Sequence, residues 1–466
     1  MRLAAAGALV WLGGGAALAQ DDETLWLYRE PTSFTDVVDA FDEHDPFDLN
    51  VSVGFSRSLL TGVVQRETND PMHPEVRRPD VSGARASEAW VDIAKFEHLR
   101  NILHFGLDVG VYHDVALFLR LPVVLSDSRE LTAPEGRTTE EVNADLVAAD
   151  PDGRAVPLFQ LPFRSPTRSG VPWLDVGAAW AIFNQHRNRH LPTWVVSATG
   201  RFATGEPVHA CFDRAPMGRD RCPNPNPAGG TLEPGIGDGT NGLRLETRAS
   251  WRSRYIEPYG GLAFQIGWPG SSKRWFEPGG DLAGFMNTLP PRIGEMTVGL
   301  AIIPWEHRGR WQRFALDFRL VGQYVSEGHG YTPLTDPLGS SAHPALTEAV
   351  NERADGAGAR NTYFYGLTDT SSHGRVMARV AIEMQAARYV RFALEGAVGG
   401  STSYLLTFAD ACNPNVDVGD DDPRRGDCRT GIINPHHRPV IDMPGRRFRM
   451  QGELTLDFAA TAIAQF

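Results

Sequence analysis

The chain has 466 residues with a formal net charge of -12, and it contains 48 glycines, 33 prolines and 4 cysteines. This length allows two or three domains or one large β unit, and the glycine and proline content is high for a helical bundle. The acidic balance, without a Lys/Arg-rich block to neutralise phosphates, argues against nucleic acid as a partner.

Residues 1–19 have the form of a secretory signal peptide. Arg2 precedes an apolar run that ends in Ala17-Leu18-Ala19, which matches the charged, apolar and small-residue regions of such peptides. We expect cleavage after Ala19 and export of the remaining chain. The alternative is an uncleaved anchor helix, but the run is short and glycine-rich. No later stretch reaches the roughly 18 apolar residues of a spanning helix.

Residues 20–46 form an acidic lead before the first strand. Four apolar residues recur there at helical spacing, opposite three aspartates: Phe34, Val37, Val38 and Phe41 against Asp36, Asp39 and Asp42. This pattern predicts a short amphipathic helix. Inside a barrel its aspartates would meet basic side chains, so the helix could act as a plug. A helix or frayed leader outside the barrel is the alternative that the sequence leaves open.

Residues 47–466 contain twelve stretches in which apolar and polar residues alternate, as in strands with two different faces. They lie at 47–65, 101–111, 115–126, 174–183, 193–205, 242–251, 256–268, 293–303, 313–324, 375–385, 390–399 and in the last stretch, which ends at Phe466. Short turns and long polar loops separate them in alternation. We therefore predict an all-β fold, an antiparallel up-and-down transmembrane β-barrel of about twelve strands with short periplasmic turns.

Aromatic residues fall at the ends of these strands. Near the short turns are Tyr112, Trp194, Trp251, Tyr255, Trp305, Trp311 and Tyr389, and near the long loops are Trp173, Trp268 and Tyr324. Two girdles of Trp and Tyr are typical of a barrel in lipid. A soluble secreted β-sandwich is the alternative fold, but it does not explain strands that are apolar on one face at spanning length.

The opposite strand faces carry charges of both signs. The basic residues are Arg120, Arg201, Arg244, Arg248, Arg319, Arg375, Arg379 and Arg391, and the acidic ones are Asp108, Asp175, Glu246, Glu295, Asp317, Glu383, Glu395 and Asp457. We expect them to line the lumen and to pair across strands. The interior could be a salt-bridged filling or a narrow water-filled channel. Twelve strands enclose more space than an eight-stranded barrel has to fill, which favours the channel.

The four cysteines form two sequence-local pairs, Cys211 with Cys222 and Cys412 with Cys428. An even count in an exported chain predicts two disulfides, each stapling a polar loop. Neither pair has C-x-x-C spacing, which argues against a metal site. The acidic stretch 413–422 resembles a calcium loop without EF-hand spacing. We predict no metal and no cofactor, with loose surface binding of calcium as the alternative.

Catalytic motifs are missing from the sequence. It contains no G-x-S-x-G and no H-E-x-x-H, motifs that mark nucleophile elbows and zinc proteases. The loop histidines, His329, His436 and His437, are of a kind that is usually a polar surface residue. We therefore predict that the protein is not an enzyme.

The final strand, GELTLDFAATAIAQF, is apolar on one face and ends in Phe466. It resembles the terminal strand of bacterial outer-membrane barrels. In that family the outer-membrane assembly machinery reads this strand, so the resemblance implies that Phe466 is an assembly signal.

The order of segments along the chain, with GLDVGVYHDVALFLRLPVV and EPYGGLAFQIG, resembles the FadL and phenol-degradation meta-pathway outer-membrane transporters. The resemblance implies a Gram-negative outer-membrane channel for passive uptake of small solutes, including hydrophobic or aromatic ones. The expected partners are outer-membrane lipid and lipopolysaccharide, the assembly machinery and the solute. The alternative is a non-conducting structural or adhesive barrel that acts through its extracellular loops.

Overall fold

The structure, a computed structural model, describes residues 31–38, 40, 48–67, 90–150, 152–214, 219–225, 232–270, 287–307, 310–351, 361–410, 412–413 and 432–466. Twelve long strands form one closed antiparallel barrel, which confirms the predicted fold. They are β1 (Leu49–Glu67), β2 (Trp90–Tyr112), β3 (Val115–Thr132), β4 (Trp173–Phe183), β5 (Thr193–Ala203), β6 (Thr240–Ser250), β7 (Ile256–Pro269), β8 (Ile293–His307), β9 (Gln312–Val325), β10 (His373–Ala387), β11 (Val390–Ser401) and β12 (Phe448–Gln465).

The barrel closes where β12 pairs with β1. The register places Asn50 opposite Gln465. Beyond that pair, Leu49 N–H donates to the carbonyl of Phe466 at 3.0 Å, and Phe466 N–H donates back at 2.8 Å. Closure matters because an unpaired strand edge has no hydrogen-bonding partners in lipid.

The outer surface of the barrel is apolar. Side chains that alternate along the strands are exposed there, among them Phe55, Leu117, Leu262, Val376 and Phe458. Such a surface is stable in hydrocarbon and unfavourable in water, so the chain has an outer-membrane β-barrel fold.

The predicted aromatic girdles are exposed on this surface, with one exception. Trp173 was placed in the girdle of the long-loop end, and that prediction is wrong. Its ring lies under the Arg201 guanidinium, with the carbon of that group 4.2 Å from the ring centroid. Trp173 is two residues from Asp175 and therefore shares its strand face.

The first strands are longer than predicted. β2 begins at Trp90 and β3 ends at Thr132, so both continue past the polar positions where the alternation was read to stop. These extensions carry Phe96 and Leu131 into an apolar cluster at the long-loop end.

That cluster, which we call the loop core, corrects the prediction that the long connections are simply polar. It consists of Val64, Ile93, Ala94, Phe96, Leu131, Val142, Leu146, Leu158, Phe159, Leu161, Phe163, Leu334, Leu338, Leu346, Phe364, Tyr404, Leu406, Val440, Ile441, Phe448 and Met450. Each fully buried large apolar side chain contributes about 1.5–3 kcal/mol. The long loops are therefore folded units that pack on the ends of β1–β3 and β12.

Among the described residues, the loops contain four short helices: α1 (Thr139–Asp145), α2 (Thr335–Gly339), α3 (Pro344–Thr347) and α4 (Pro439–Asp442). The loops also contain short strands at Val147–Ala149, Ala155–Pro157, Phe163–Arg164, Arg168–Gly170, Gly328–Gly330, Val350–Asn351, Asn361–Thr362, Thr368–Thr370, Tyr404–Leu405, Cys412–Asn413 and Ile432–Ile433. In the part of the chain that the structure describes, no helix is long and apolar enough to cross a bilayer.

The disulfide between Cys211 and Cys222 is present in the loop between β5 and β6, as predicted. Cys428 lies outside the described residues, so its pairing with Cys412 stays a prediction. The signal peptide and most of the acidic stretch 413–422 also lie outside them.

The amphipathic helix predicted in the lead is not confirmed. Of residues 20–46, the structure describes 31–38 and 40, and there residues 33–35 form a turn. Thr35 N–H donates to the carbonyl of Thr32 at 3.3 Å. The backbone of this segment instead bonds to side chains of the barrel wall, and these bonds replace those that a short helix would form.

Candidate functional site

The charged residues predicted for the lumen all lie on barrel strands, at positions that alternate with the exposed apolar ones. Successive side chains of a strand point to opposite faces, so these residues point inward. Their part in solute passage stays a prediction.

Most of these charges are paired side by side. Arg201 donates to both oxygens of Asp175, at 2.8 and 3.0 Å. The other pairs are Arg120 with Asp108, Arg244 with Glu295, Arg319 with Asp317 and Arg379 with Glu395. Because each pair balances one positive and one negative charge, the interior has no ladder of a single sign.

The remaining predicted residues have different neighbours. Glu246 lies 3.7 Å from Arg244, and Arg375 lies 3.8 Å from Glu453, an acidic residue that the sequence analysis did not include. Asp457 lies opposite Ser58 in the β1–β12 register. Arg248, Glu383 and Arg391 bind the N-terminal segment described below.

Some of the inward-pointing side chains are not fully covered by their neighbours. The side chain of Arg120 is 43% exposed and that of Arg375 is 40% exposed, although both point inward. At the short-turn end, in contrast, Arg252 is 0% exposed and pairs with Glu306 at 3.1 Å. The interior therefore leaves these two side chains partly uncovered, whereas the short-turn end is tightly packed around Arg252.

We expect the paired charges to set a weak ion selectivity that single substitutions shift. Arg379→Gln leaves Glu395 without its cation, so the reversal potential in a KCl gradient should move toward cation selectivity. Glu395→Gln is the matched control and should move it the other way. The same displacement in both variants would contradict this role of the pair.

The short-turn end holds residues 31–38 and 40, which we call the inner segment. The wall contacts it at many points: Thr32 N–H to Glu257 Oε2 (2.8 Å), Ser33 to Glu383, Thr35 to Ser250 (2.7 Å), Arg248 to the Phe34 carbonyl (2.8 Å), Arg313 to the Pro31 carbonyl (3.3 Å), Arg391 to Asp36 (2.8 Å), and Ala40 N–H to the His113 carbonyl (2.9 Å). These partners come from strands around the circumference, so the segment crosses the end of the lumen.

Phe34 is the apolar anchor of the inner segment. It is buried and stacks on Tyr259, with ring centroids 4.2 Å apart. The guanidinium carbon of Arg319 lies 5.0 Å from the Phe34 ring centroid. A Cβ at Gly261 would come within 3.3 Å of the Phe34 ring, so this wall position suits a glycine. The anchor thus combines aromatic stacking with a cation–π contact.

Glu257 and Tyr259, two of the wall residues that hold this segment, are not among the predicted site residues. Glu257 and Tyr259 are two residues apart in EPYGG and share the inward face of β7. The alternation of inward and outward residues along β7 could have identified both as inward-facing. Their partners, Thr32 for Glu257 and Phe34 for Tyr259, lie more than two hundred residues away, however, and no local pattern joins them.

A second missed cluster lies in the long loops. His329 and His436, predicted to be polar surface residues, have nearly parallel rings whose centroids are 3.8 Å apart. His329 is 4% exposed. Burial lowers the pKa of His436 well below its usual range, and the nearby His329 lowers it further. His436 is therefore a neutral imidazole at neutral pH.

Comparisons with known proteins give only distant likenesses. A scan of protein-family profiles found no match, and a search of curated proteins also found none. An outer-membrane channel from Pseudomonas putida F1 is 9% identical, with 94% of this chain and 99% of that chain covered and a TM-score of 0.36. A FadL homologue from Pseudomonas aeruginosa is 8% identical, with 90% of each chain covered and a TM-score of 0.31.

The outer-membrane protease OmpT from Escherichia coli is 6% identical, with 93% of this chain and 100% of that chain covered and a TM-score of 0.29. At this distance the neighbours do not distinguish channels from enzymes. The case for an outer-membrane barrel rests on the closed sheet and its apolar outer surface.

Proposed function

We propose that the protein is an outer-membrane channel for passive uptake of small solutes, with hydrophobic or aromatic molecules as the first class to test. The observation that carries the proposal is the incompletely filled interior, where inward side chains such as Arg120 keep 43% of their surface exposed. A filled interior would bury them, as Arg252 is buried at the short-turn end.

The inner segment gives this channel a closed end. Its contacts with Glu257, Arg248 and Arg391 bridge distant strands. We propose that the segment acts as a plug in place of the predicted helix, and that solutes pass when it is displaced. Export by a cleaved signal peptide, contact with lipopolysaccharide and recognition of Phe466 by the assembly machinery belong to the same proposal and remain to be tested.

A structural or adhesive barrel is the second candidate, and the loop core favours it. Twenty or so buried apolar residues organise the long loops into a folded surface, which a simple pore does not need. In that case the interior would serve stability alone, and the loops would bind a partner.

Solute flux separates the two candidates. The purified full chain and a variant lacking residues 31–40 are reconstituted into liposomes, and entry of a small sugar and of phenol-sized aromatics is followed. A channel gives flux above that of protein-free liposomes, and more after the deletion. If neither form passes any solute while both show the β-sheet circular dichroism of a folded barrel, the transport proposal fails.

A further inference from the structure

Two long loops bring three potential metal ligands together. His329 lies on the strand Gly328–Gly330 and Asp369 on Thr368–Thr370, and the two are direct cross-strand partners. His436 comes from the loop between β11 and β12, in a turn where Asn434 Oδ1 accepts its backbone N–H at 3.1 Å. More than a hundred residues of chain separate the first ligand from the last, so tertiary folding assembles the group.

The candidate ligand atoms are close. His329 Nδ1 is 2.6 Å from Asp369 Oδ1, and His436 Nδ1 is 3.8 Å from the same oxygen. One ligand atom from each residue lies within 4.8 Å of the other two. Ligands of a tetrahedral ion lie about 2.0–2.1 Å from it and hence about 3.4 Å from one another. The two separations that involve Asp369 Oδ1 are therefore within about 1 Å of this value.

The rings must also reorient. They are now stacked at an interplanar angle of 8°, whereas a shared ion lies in the plane of each imidazole that binds it. A rotation of one ring about its Cβ–Cγ bond would turn its nitrogen toward the ion.

The surroundings suit a bound cation. Asp369 is 1% exposed, and its second oxygen, Oδ2, accepts a hydrogen bond from Asn287 Nδ2 at 3.1 Å. This bond fixes the carboxylate and leaves Oδ1 directed at the two imidazoles, as supporting contacts do around metal ligands. A buried carboxylate needs a compensating charge, and a divalent ion would supply it.

We propose that His329, Asp369 and His436 form a site for a transition-metal ion of the zinc type that joins the two loops. Two imidazoles and one carboxylate match the ligands of Zn²⁺, Ni²⁺ or Cu²⁺, whereas Ca²⁺ and Mg²⁺ take oxygen ligands. Three protein ligands leave one tetrahedral position for water or an external ligand. The site differs from the prediction of no metal, and it is independent of whether solutes pass through the barrel.

The test is zinc binding by the full chain, produced without a polyhistidine tag and stripped with a chelator. Isothermal titration should find one Zn²⁺ per chain, and Co²⁺ should give the intense visible absorption of a tetrahedral complex. His329→Gln, Asp369→Asn and His436→Gln should each weaken zinc binding by more than about tenfold, since even supporting contacts are worth that much.

His437→Gln is the matched control, because His437 is adjacent to a ligand and its Nδ1 faces the Ala409 carbonyl at 2.8 Å instead. It should bind zinc as the unaltered chain does. The protease resistance of the loops should rise with zinc in the unaltered chain and in the control. Stoichiometric binding that persists in Asp369→Asn, or no binding by the unaltered folded chain, would overturn the site. The contact of His329 with Asp369 would then be a simple hydrogen bond.

Discussion

Replacing Phe34 by alanine should raise the single-channel conductance of the refolded chain several-fold. The phenyl ring is buried against Tyr259 and covered by Arg319. Truncating a buried phenylalanine costs about 3–5 kcal/mol, and each 1.4 kcal/mol is about a tenfold change in an equilibrium. The inner segment should therefore leave the short-turn end in a large fraction of molecules. Planar-bilayer recording gives both the conductance and the time spent open.

Other substitutions in the inner segment should raise the conductance by different amounts. Arg391→Gln removes the 2.8 Å contact with Asp36 at a partly exposed site, so its effect should be smaller. Val38→Ala is the matched control, because Val38 lies in the same segment and is only half-buried. Deleting residues 31–40 gives the largest conductance increase that loss of the segment can produce.

The outcome bears directly on the plug. If the deletion and Phe34→Ala both leave the conductance unchanged, the inner segment does not limit passage. The constriction would then lie at the long-loop end. A fall in conductance on deletion would mean that the segment supports the wall instead of blocking it.

The barrel could be predicted because its signals are local. Alternation with a period of two residues identifies each strand and its faces without knowledge of the neighbours. Arg201 and Asp175 were assigned to the interior by this parity alone, and the structure pairs them at 2.8 Å. Closure between β1 and β12 follows from the cost of an open edge in lipid.

The end of the lumen could not be predicted in the same way. Residues 34–41 have helical spacing, but an isolated segment this short gains little from helix formation. The wall offers Glu257 to the Thr32 N–H and Arg248 to the Phe34 carbonyl. These tertiary bonds outweigh the local preference, and their partners are more than two hundred residues apart in sequence.

The loops were harder still. Leu158, Leu334 and Leu406 lie in stretches without regular alternation, and each is completely buried in the loop core. His329 and His436 likewise come together only when two loops pack against each other. Segments without periodicity carry no signal of which of their few apolar or ionisable residues will be packed together.

Breaking the buried ion pair between Arg168 and Asp336 should destabilise the long loops by about 3–5 kcal/mol. The two side chains are 0% and 2% exposed. Arg168 donates to both carboxylate oxygens, at 2.6 and 3.1 Å, and Asp336 also accepts the backbone N–H of Cys211 at 3.0 Å. The pair therefore ties α2 to the strand Arg168–Gly170 and to the disulfide loop. Asp336→Asn leaves the guanidinium buried without its counter-charge.

Hydrogen exchange of the loop amides measures this effect, because local opening there need not unfold the barrel. Asp152→Asn is the matched control: its partner Arg154 lies 3.6 Å away and both side chains are more than two-thirds exposed, so the loss should stay below about 1 kcal/mol. Replacing both members, Arg168→Met with Asp336→Leu, should recover part of the stability, since no unpaired charge remains buried. Equal protection in Asp336→Asn and Asp152→Asn would show that the loop core alone holds the loops together.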